Sequence, residues 1–153
     1  MIKRVSLIPL LLLLVSCASV PMADKMQDLR LKNFDSPGPD KAGIYVYRNE
    51  TLGGAISMTV TLNGQTLGKT GPYTYLHTVV EPGTHTIGSS AENTSAVIID
   101  AKPGINYFVW QEVTMGLMMA GSKLQRVSAA KGKAGVLECD LAKTNDIYAG
   151  AGS

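Results

Sequence analysis

The feature that most constrains the fold is a strictly alternating stretch, "ISMTVTL", at residues 56–62. Apolar side chains occupy every second position, and serine or threonine occupies the positions between them. A period of two residues predicts a strand with one buried face and one exposed face. The pair Asn63–Gly64 follows directly and favours the two positive φ angles of a type I′ turn. The stretch therefore predicts a β-hairpin with a short return strand at 65–67.

The chain between residues 42 and 127 repeats this kind of signal. Runs rich in β-branched and aromatic residues are separated by turn residues at spacings of about 8–12 residues. Residues 105–113 are apolar on both faces, which is typical of a central strand. The fold class predicted is all-β, a β-sandwich of about seven short antiparallel strands. Besides the hairpin, we predict strands at 43–48, 73–80, 84–87, 95–100, 105–113 and 124–127.

The regions that flank these strands are less regular. Residues 17–41 end in a Pro- and Gly-rich stretch and are predicted to be a tether, with one helical turn around 26–31. Residues 134–143 fit both a helical stripe and a strand alternation, and we favour one short C-terminal helix there. Residues 144–153 are predicted to be a flexible tail. The β-sandwich domain is accordingly assigned to residues 42–143.

The amino-terminal residues concern location rather than fold. Two basic residues precede an apolar run from Val5 to Val15, which is shorter than the roughly 20 residues of a membrane-spanning helix. A basic start followed by a short apolar core is typical of an export signal. The core ends in Leu14–Val15–Ser16–Cys17, which resembles the bacterial lipobox. The resemblance implies cleavage before Cys17, so residues 1–16 are predicted to be a lipoprotein signal peptide.

The same resemblance implies a mode of attachment and an address. The Cys17 sulfur is expected to carry diacylglycerol, and the new amino group a further acyl chain such as palmitate. Two or more acyl chains anchor a protein stably, whereas one chain holds it only marginally. Ala18 stands where lipoproteins retained at the inner membrane commonly have Asp. We therefore expect a lipid-anchored protein of the outer membrane that faces the periplasm.

Charge and cysteine content exclude some partners. Removal of residues 1–16 would leave 137 residues with 12 basic and 12 acidic side chains. No basic patch is present, so no nucleic-acid partner is expected. Lipidation of Cys17 leaves Cys139 as a single cysteine. We expect a small, buried and inert side chain there, the alternative being a thiol that pairs with another chain.

No catalytic or metal-binding constellation is recognisable. The two histidines, His77 and His85, flank a Pro82–Gly83 turn, and pairing across that turn would place them on opposite faces. Zinc sites normally use three or four protein ligands, so neither a metal nor another cofactor is expected. No nucleophile elbow, phosphate-binding loop or zinc-protease motif occurs. We therefore expect a protein without enzymatic activity.

An uncharged, methionine-rich stretch, "MGLMMAG" at 115–121, is the first candidate for a binding site. Methionine suits adaptable binding surfaces, so an exposed loop here would contact lipid or a protein. Two alternatives remain: a buried connection that packs in the core, and thioether binding of Cu(I). The candidate binding residues of the loop are Met115, Leu117, Met118 and Met119.

Aromatic residues are the second candidate. Tyr73 and Tyr75 are spaced to share one strand face, where they could contact a glycan. The alternative is packing in the core or between strands, because aromatic residues are common in strands for that reason.

The order of these strands and turns resembles a family of bacterial envelope lipoproteins, the domain of unknown function 2846 family. The resemblance covers about residues 42–143 and implies a compact β-sandwich on a lipid tether, without a known activity. We therefore expect a structural or interaction module that binds an envelope protein, or alternatively a module that binds peptidoglycan or another glycan. The matching elements are Tyr47–Arg48, Asn63–Gly64, Gly71 with Tyr73 and Tyr75, Pro82–Gly83–Thr84–His85, and Gly104 with Tyr107.

Overall fold

The structure is a computed structural model that describes residues 19–91 and 93–147. Within these residues the chain forms two short helices and nine strands. In chain order they are α1 (Lys25–Leu31), β1 (Ala42–Arg48), β2 (Met58–Leu62), β3 (Gln65–Thr70), β4 (Thr74–Val80), β5 (Gly83–Ser90), β6 (Thr94–Ala101), β7 (Asn106–Met115), β8 (Ala120–Val127), α2 (Ala129–Leu137) and β9 (Asp140–Leu141).

The strands form two sheets, which confirms the predicted all-β sandwich. The larger sheet has the order β8-β7-β1-β4-β9, and the smaller one has the order β3-β2-β5-β6. Most neighbouring strands are antiparallel, but β1 pairs with β7 in parallel, and so does β4 with β9. The expectation of antiparallel strands is therefore wrong for these two pairs. Neither helix of the described residues is long and apolar enough to cross a bilayer.

Strand β1 lies in the middle of the larger sheet and is buried on both faces. Successive side chains of a strand point to opposite faces. Ile44 and Val46 therefore enter the apolar core between the sheets, where they join residues such as Val60, Leu76 and Ile99. The alternate residues form a second cluster on the outer face, which the two helices cover. That cluster contains Tyr45, Tyr47, Tyr75, Phe108, Val136, Cys139 and Leu141.

Helix α2 begins earlier than the sequence indicated. Ser128 caps it, since its hydroxyl oxygen accepts a hydrogen bond from the Lys131 amide at 3.3 Å. Gly132 and Gly135 lower the intrinsic helix propensity, but they lie against Phe108 and Tyr47 and allow close approach to the sheet. The prediction of a helix over 134–143 is thus correct only for its first turn, because the chain then turns into β9.

The predicted tether over 17–41 is wrong for its described part, because residues 20–34 pack against the larger sheet. Helix α1 confirms the helical turn, and its Asp28 is buried. The Asp28 carboxylate accepts hydrogen bonds from Lys32 at 3.0 Å, from the Tyr75 hydroxyl at 3.0 Å and from the Leu141 amide at 3.2 Å. A local sequence pattern does not reveal the last two partners, because Tyr75 and Leu141 belong to the distant strands β4 and β9.

The predicted tail is also packed where the structure describes it. The Asn145 amide donates to the Leu67 carbonyl at 2.7 Å, and Thr144 forms a bridge with Gly68. Ile147 packs against the core. The flexible-tail prediction is therefore wrong for residues 144–147. Residues 148–153 and the predicted signal peptide and lipidation site, residues 1–17, lie outside the described residues.

Of the two turns predicted from the sequence, one forms a hairpin and the other connects the two sheets. Asn63 and Gly64 have φ angles of 50° and 82°, which confirms the hairpin turn between β2 and β3. The Pro82–Gly83 segment instead connects β4 of the larger sheet to β5 of the smaller sheet. His77 and His85 therefore belong to different sheets, and the hairpin expected between them does not form.

Candidate functional site

The hairpin of β7 and β8 carries the most exposed apolar side chains of the described residues. Pairing ends at Met115 and Ala120, and the Gly116 amide closes the loop by donating to the Met119 carbonyl at 3.0 Å. The Leu117 side chain is 100% exposed and that of Met118 is 89% exposed. Met115 and Met119 are 74% and 53% exposed. The alternative of a buried core connection is therefore wrong, and the predicted loop is a surface feature.

A second apolar loop lies beside this hairpin. It connects β1 to β2, and its Leu52 is 45% exposed. The two loops enclose an open groove of about 320 Å³. We call residues 52–56 and 115–120 together the apolar tip. The groove is lined by Leu52, Gly53, Gly54, Ala55, Ile56, Met115, Gly116, Leu117, Met118, Met119 and Ala120.

The β1–β2 loop is held by Arg48, which is fully buried at the end of β1. Its guanidinium donates to the Ile56 carbonyl at 2.8 Å, and to the Leu52 and Gly53 carbonyls at 3.1 and 2.9 Å. Burial lowers the pKa of Arg48, while the nearby Glu50 carboxylate acts in the opposite direction. The planar fork of guanidinium donors suits this task, because it binds several carbonyls in fixed directions.

Further contacts join the loop to the hairpin. The Glu50 carboxylate accepts a hydrogen bond from the Val113 amide at 2.7 Å. Gly53 has a φ of 66°, and a Cβ atom built there would lie 2.6 Å from the Cβ of Ala120. Only glycine fits this approach, because other residues rarely adopt such a φ and would also clash. These contacts hold the two loops against each other, so the groove between them is a defined feature of the fold.

A buried polar network lies beneath the apolar tip, between the two sheets. The Gln111 side-chain amide donates to the Ser89 hydroxyl at 2.6 Å, and the Ser89 and Ser122 hydroxyls are 2.7 Å apart. The Thr70 hydroxyl donates to the side-chain oxygen of Gln111. Each of these side chains is buried and has a partner, so the network pins β3, β5, β7 and β8 to one another. The base of the tip is accordingly fixed by the core.

Sequence reasoning found the exposed loop but missed Arg48 and Glu50. The signal for Arg48 was its position at the end of the strand "GIYVYR", where a buried strand continues into a charged residue. A buried arginine requires acceptors, and loop carbonyls are acceptors that a sequence pattern does not display. Nothing in the sequence distinguished Glu50 from an ordinary surface carboxylate.

The two candidate glycan-facing tyrosines are not presented together. Tyr75 is fully buried, its hydroxyl donates to Asp28, and burial raises its pKa. Tyr73, in contrast, is 44% exposed and has a φ of 51°. This left-handed conformation interrupts the alternation, so the two rings do not share a face. The predicted glycan-facing pair is therefore wrong, because Tyr75 belongs to the buried aromatic cluster.

The histidines and the cysteine are likewise separate. The His77 ring lies 4.5 Å from the Tyr45 ring, and burial lowers its pKa to about 4. The His85 ring contacts the Asn63 side chain and the Glu81 carbonyl. Cys139 is 2% exposed, and burial with the nearby Glu138 raises its pKa to about 12. The expectation of a buried thiol is confirmed.

Within residues 19–91 and 93–147, no group of three or more His, Cys, Asp or Glu side chains is placed to hold a metal ion. The feature that stands out in this part of the molecule is therefore the apolar tip. Fold and site together define a small two-sheet β-sandwich that presents an uncharged, methionine-rich hairpin to solvent.

Comparison with known proteins identifies the family. The family described as "Protein of unknown function (DUF2846)" matches residues 39–123. An uncharacterized protein of Haemophilus influenzae is 31% identical over 140 residues, which cover 91% of this chain and 83% of that protein. The chain belongs to the domain of unknown function 2846 family. The matched region begins just before β1 and ends within β8, so it includes the whole apolar tip.

Proposed function

We propose that this chain is a lipid-anchored lipoprotein of the bacterial outer membrane, a non-catalytic module that makes contact through its apolar tip. The observation that carries the contact surface is Leu117, which is 100% exposed at the end of the paired β7–β8 hairpin. Large apolar side chains gathered at one exposed place mark interaction sites in soluble domains. Scattered single side chains do not, but here they are contiguous in the 115–119 loop and continue onto Leu52.

Support for the anchor comes from the sequence. The basic start, the short apolar core and the lipobox-like Leu14–Cys17 precede the domain in the order that export and lipidation require. Val20 is the first residue of the packed core, three positions after Cys17. Acylation at Cys17 would thus place the lipid directly beside the folded domain. Ala18 supports delivery to the outer membrane.

The chemistry of the described side chains supports a non-catalytic role. A thiol with a pKa of about 12 is not a nucleophile at neutral pH, and Cys139 is also enclosed by the core. The Sγ atom of Cys139 donates to the Arg48 carbonyl at 3.5 Å, which is a backbone acceptor and not a catalytic base. The alternative of a glycan-binding module lacks the tyrosine pair on which it rested.

Metabolic labelling tests the anchor. Cells that express the full chain are supplied with an alkyne analogue of palmitate, and the protein is purified and examined by mass spectrometry. We expect label and acyl mass on the wild-type chain and none on Cys17→Ala. Cys139→Ala is the matched control and should remain labelled, because it removes the other cysteine. A mature wild-type protein with an unmodified amino terminus would refute the anchor.

Site-specific photocrosslinking in the same cells tests the tip. A photoreactive amino acid replaces Leu117 in one variant and the exposed Gln65, beside the hairpin turn at the other end of β2, in the control. We expect a defined lipid or protein adduct, identified by mass spectrometry, at position 117 and not at position 65. Equal adducts at both positions, or none at 117, would contradict a contact function for the tip.

A further inference from the structure

We infer that the apolar tip inserts into the same bilayer that carries the lipid anchor, so that the domain has two membrane contacts and a defined orientation. This inference rests on the proposed function, and it names the chemistry of the surface that the tip meets: phospholipid at the boundary between headgroups and acyl chains. Four features of the molecule carry it.

The first feature is the absence of charge. Residues 51–61 and 113–122 contain no Asp, Glu, Lys, Arg or His, although 17% of the whole chain is charged. A charged side chain is costly to place in hydrocarbon, whereas leucine and methionine enter it readily. The two loops themselves therefore offer no ionisable side chain to the surface they meet, and the Glu50 carboxylate at their base is held by the Val113 amide.

The second feature is the state of the backbone at the end of the hairpin. A backbone group that enters an apolar layer needs a hydrogen-bond partner. Met115 and Ala120 are paired across β7 and β8, and the Gly116 amide is satisfied by the Met119 carbonyl at 3.0 Å. The loop is short, so its apolar side chains can pass the headgroups while the remaining polar backbone atoms stay at the hydrated boundary.

The third feature is the shape of the tip. The last parallel pair of β1 with β7 is Tyr47 with Trp110, whereas β7 continues to pair with β8 as far as Met115. Five residues at about 3.3 Å each carry the hairpin roughly 17 Å past the end of that ladder. A narrow projection enters a lipid layer easily.

The fourth feature is the length of chain between the proposed anchor and the domain. Three residue steps separate Cys17 from Val20, which packs in the core. An extended chain spans at most about 3.6 Å per residue, so the connection is at most about 11 Å long. Such a short connection keeps the domain at the bilayer surface. Ser19 lines one cavity together with Ser57, the residue after Ile56 of the tip, so the connection leaves the domain near the base of the tip and raises the effective concentration of the tip at the bilayer. A long flexible tether would not have this effect.

Fluorescence on vesicles tests the inference with the full-length, lipidated chain. Leu117→Cys and the control Gln65→Cys are each labelled with an environment-sensitive thiol probe and reconstituted into phosphatidylcholine vesicles. Cys139 does not compete for the probe because it is buried. We expect several-fold protection of the probe at 117 from an aqueous quencher, together with quenching by nitroxides on the lipid chains. The probe at 65 should show neither effect.

Composition of the vesicle provides a second check on the chemistry. Because the tip has no charge, addition of phosphatidylglycerol or of salt should leave the protection at 117 unchanged. Leu117→Lys, read with the probe on Met118→Cys, should lower the inserted fraction by about tenfold or more, since it removes one large apolar side chain that insertion would bury in the bilayer. Gln65→Lys is the matched control and should change nothing.

Flotation of the vesicles separates the two ways of failing. A chain that floats while its probe at 117 is as accessible as the probe at 65 overturns the insertion but leaves the anchor intact. Protection at 117 without quenching by lipid nitroxides also overturns it, because a protein surface then covers the tip. A chain that does not float overturns both the anchor and the insertion.

Discussion

Gly135 lies in α2 where the helix crosses the buried ring of Tyr47. A Cβ atom added there would be 2.1 Å from Cε2 and 2.6 Å from Cζ of that ring. The ring is only 1% exposed, and it belongs to the aromatic cluster on the outer face of the larger sheet. Neither the ring nor the helix can give way locally, so Gly135→Ala requires that α2 move off the sheet.

The expected magnitude follows from two opposing effects. Replacement of glycine by alanine inside a helix normally stabilises it by about 0.5–1 kcal/mol, because the unfolded chain loses freedom. Overpacking of a filled core typically costs about 1–3 kcal/mol, and here the overlap exceeds 1 Å. Withdrawal of the helix would also loosen Gly132 from Phe108. We therefore expect Gly135→Ala to lower the free energy of unfolding by about 2 kcal/mol.

Urea unfolding measures this change. Trp110 is the single tryptophan, and Lys131 of α2 lies 4.3 Å from its ring, so its fluorescence reports on this contact. With a slope of about 1–3 kcal/mol per molar urea, the midpoint should fall by roughly 1 M. Ala134→Gly is the matched control, because it exchanges the same two residue types at an exposed position of the same helix. Alanine should be the more stable residue at 134 and glycine at 135. A Gly135→Ala protein at least as stable as wild type would refute the packing argument.

Three further predictions concern other parts of the molecule. The His77 pKa of about 4 is below the ordinary 6.5, so between these pH values the unfolded chain binds a proton that the folded chain does not. The contribution of His77 to the free energy of unfolding should therefore be fully present above pH 6.5 and fall by up to about 3 kcal/mol towards pH 4. Urea unfolding of His77→Gln should lack this part of the pH dependence. Arg48→Lys should accelerate amide exchange of residues 53–56 and lower the free energy of unfolding by about 1–3 kcal/mol, because an ammonium cannot replace the guanidinium fork. Hydrogen–deuterium mass spectrometry measures the exchange. Unchanged exchange would show that Arg48 does not hold the loop. Mild peroxide should oxidise the three methionines of 115–119 before the fully buried Met58, and equal rates in peptide mass spectrometry would mean that the tip is covered.

The strands were predictable because their signals are local. Alternation over 56–62 reports which face of a strand is buried, and Asn63–Gly64 reports a turn geometry through two φ angles. Both depend on backbone and side-chain preferences within a few residues. Every run predicted as a strand is a strand in the structure, with ends that differ by a few residues. The candidate loop at 115–121 was visible for the same reason, as an uncharged run between two strands.

Tertiary structure decided which of these local features are buried and which face solvent. Tyr75 and Tyr73 look equivalent in the sequence. In the structure the Tyr75 hydroxyl donates to Asp28 of α1, whereas Tyr73 is exposed and lies outside the buried aromatic cluster. Exposure of Leu117 follows from the extension of β7 beyond β1, a parallel pairing between strands about 60 residues apart. Burial is the sum of contacts from distant segments, so a short pattern can name the side chains of a site, but only the packed chain determines their surroundings.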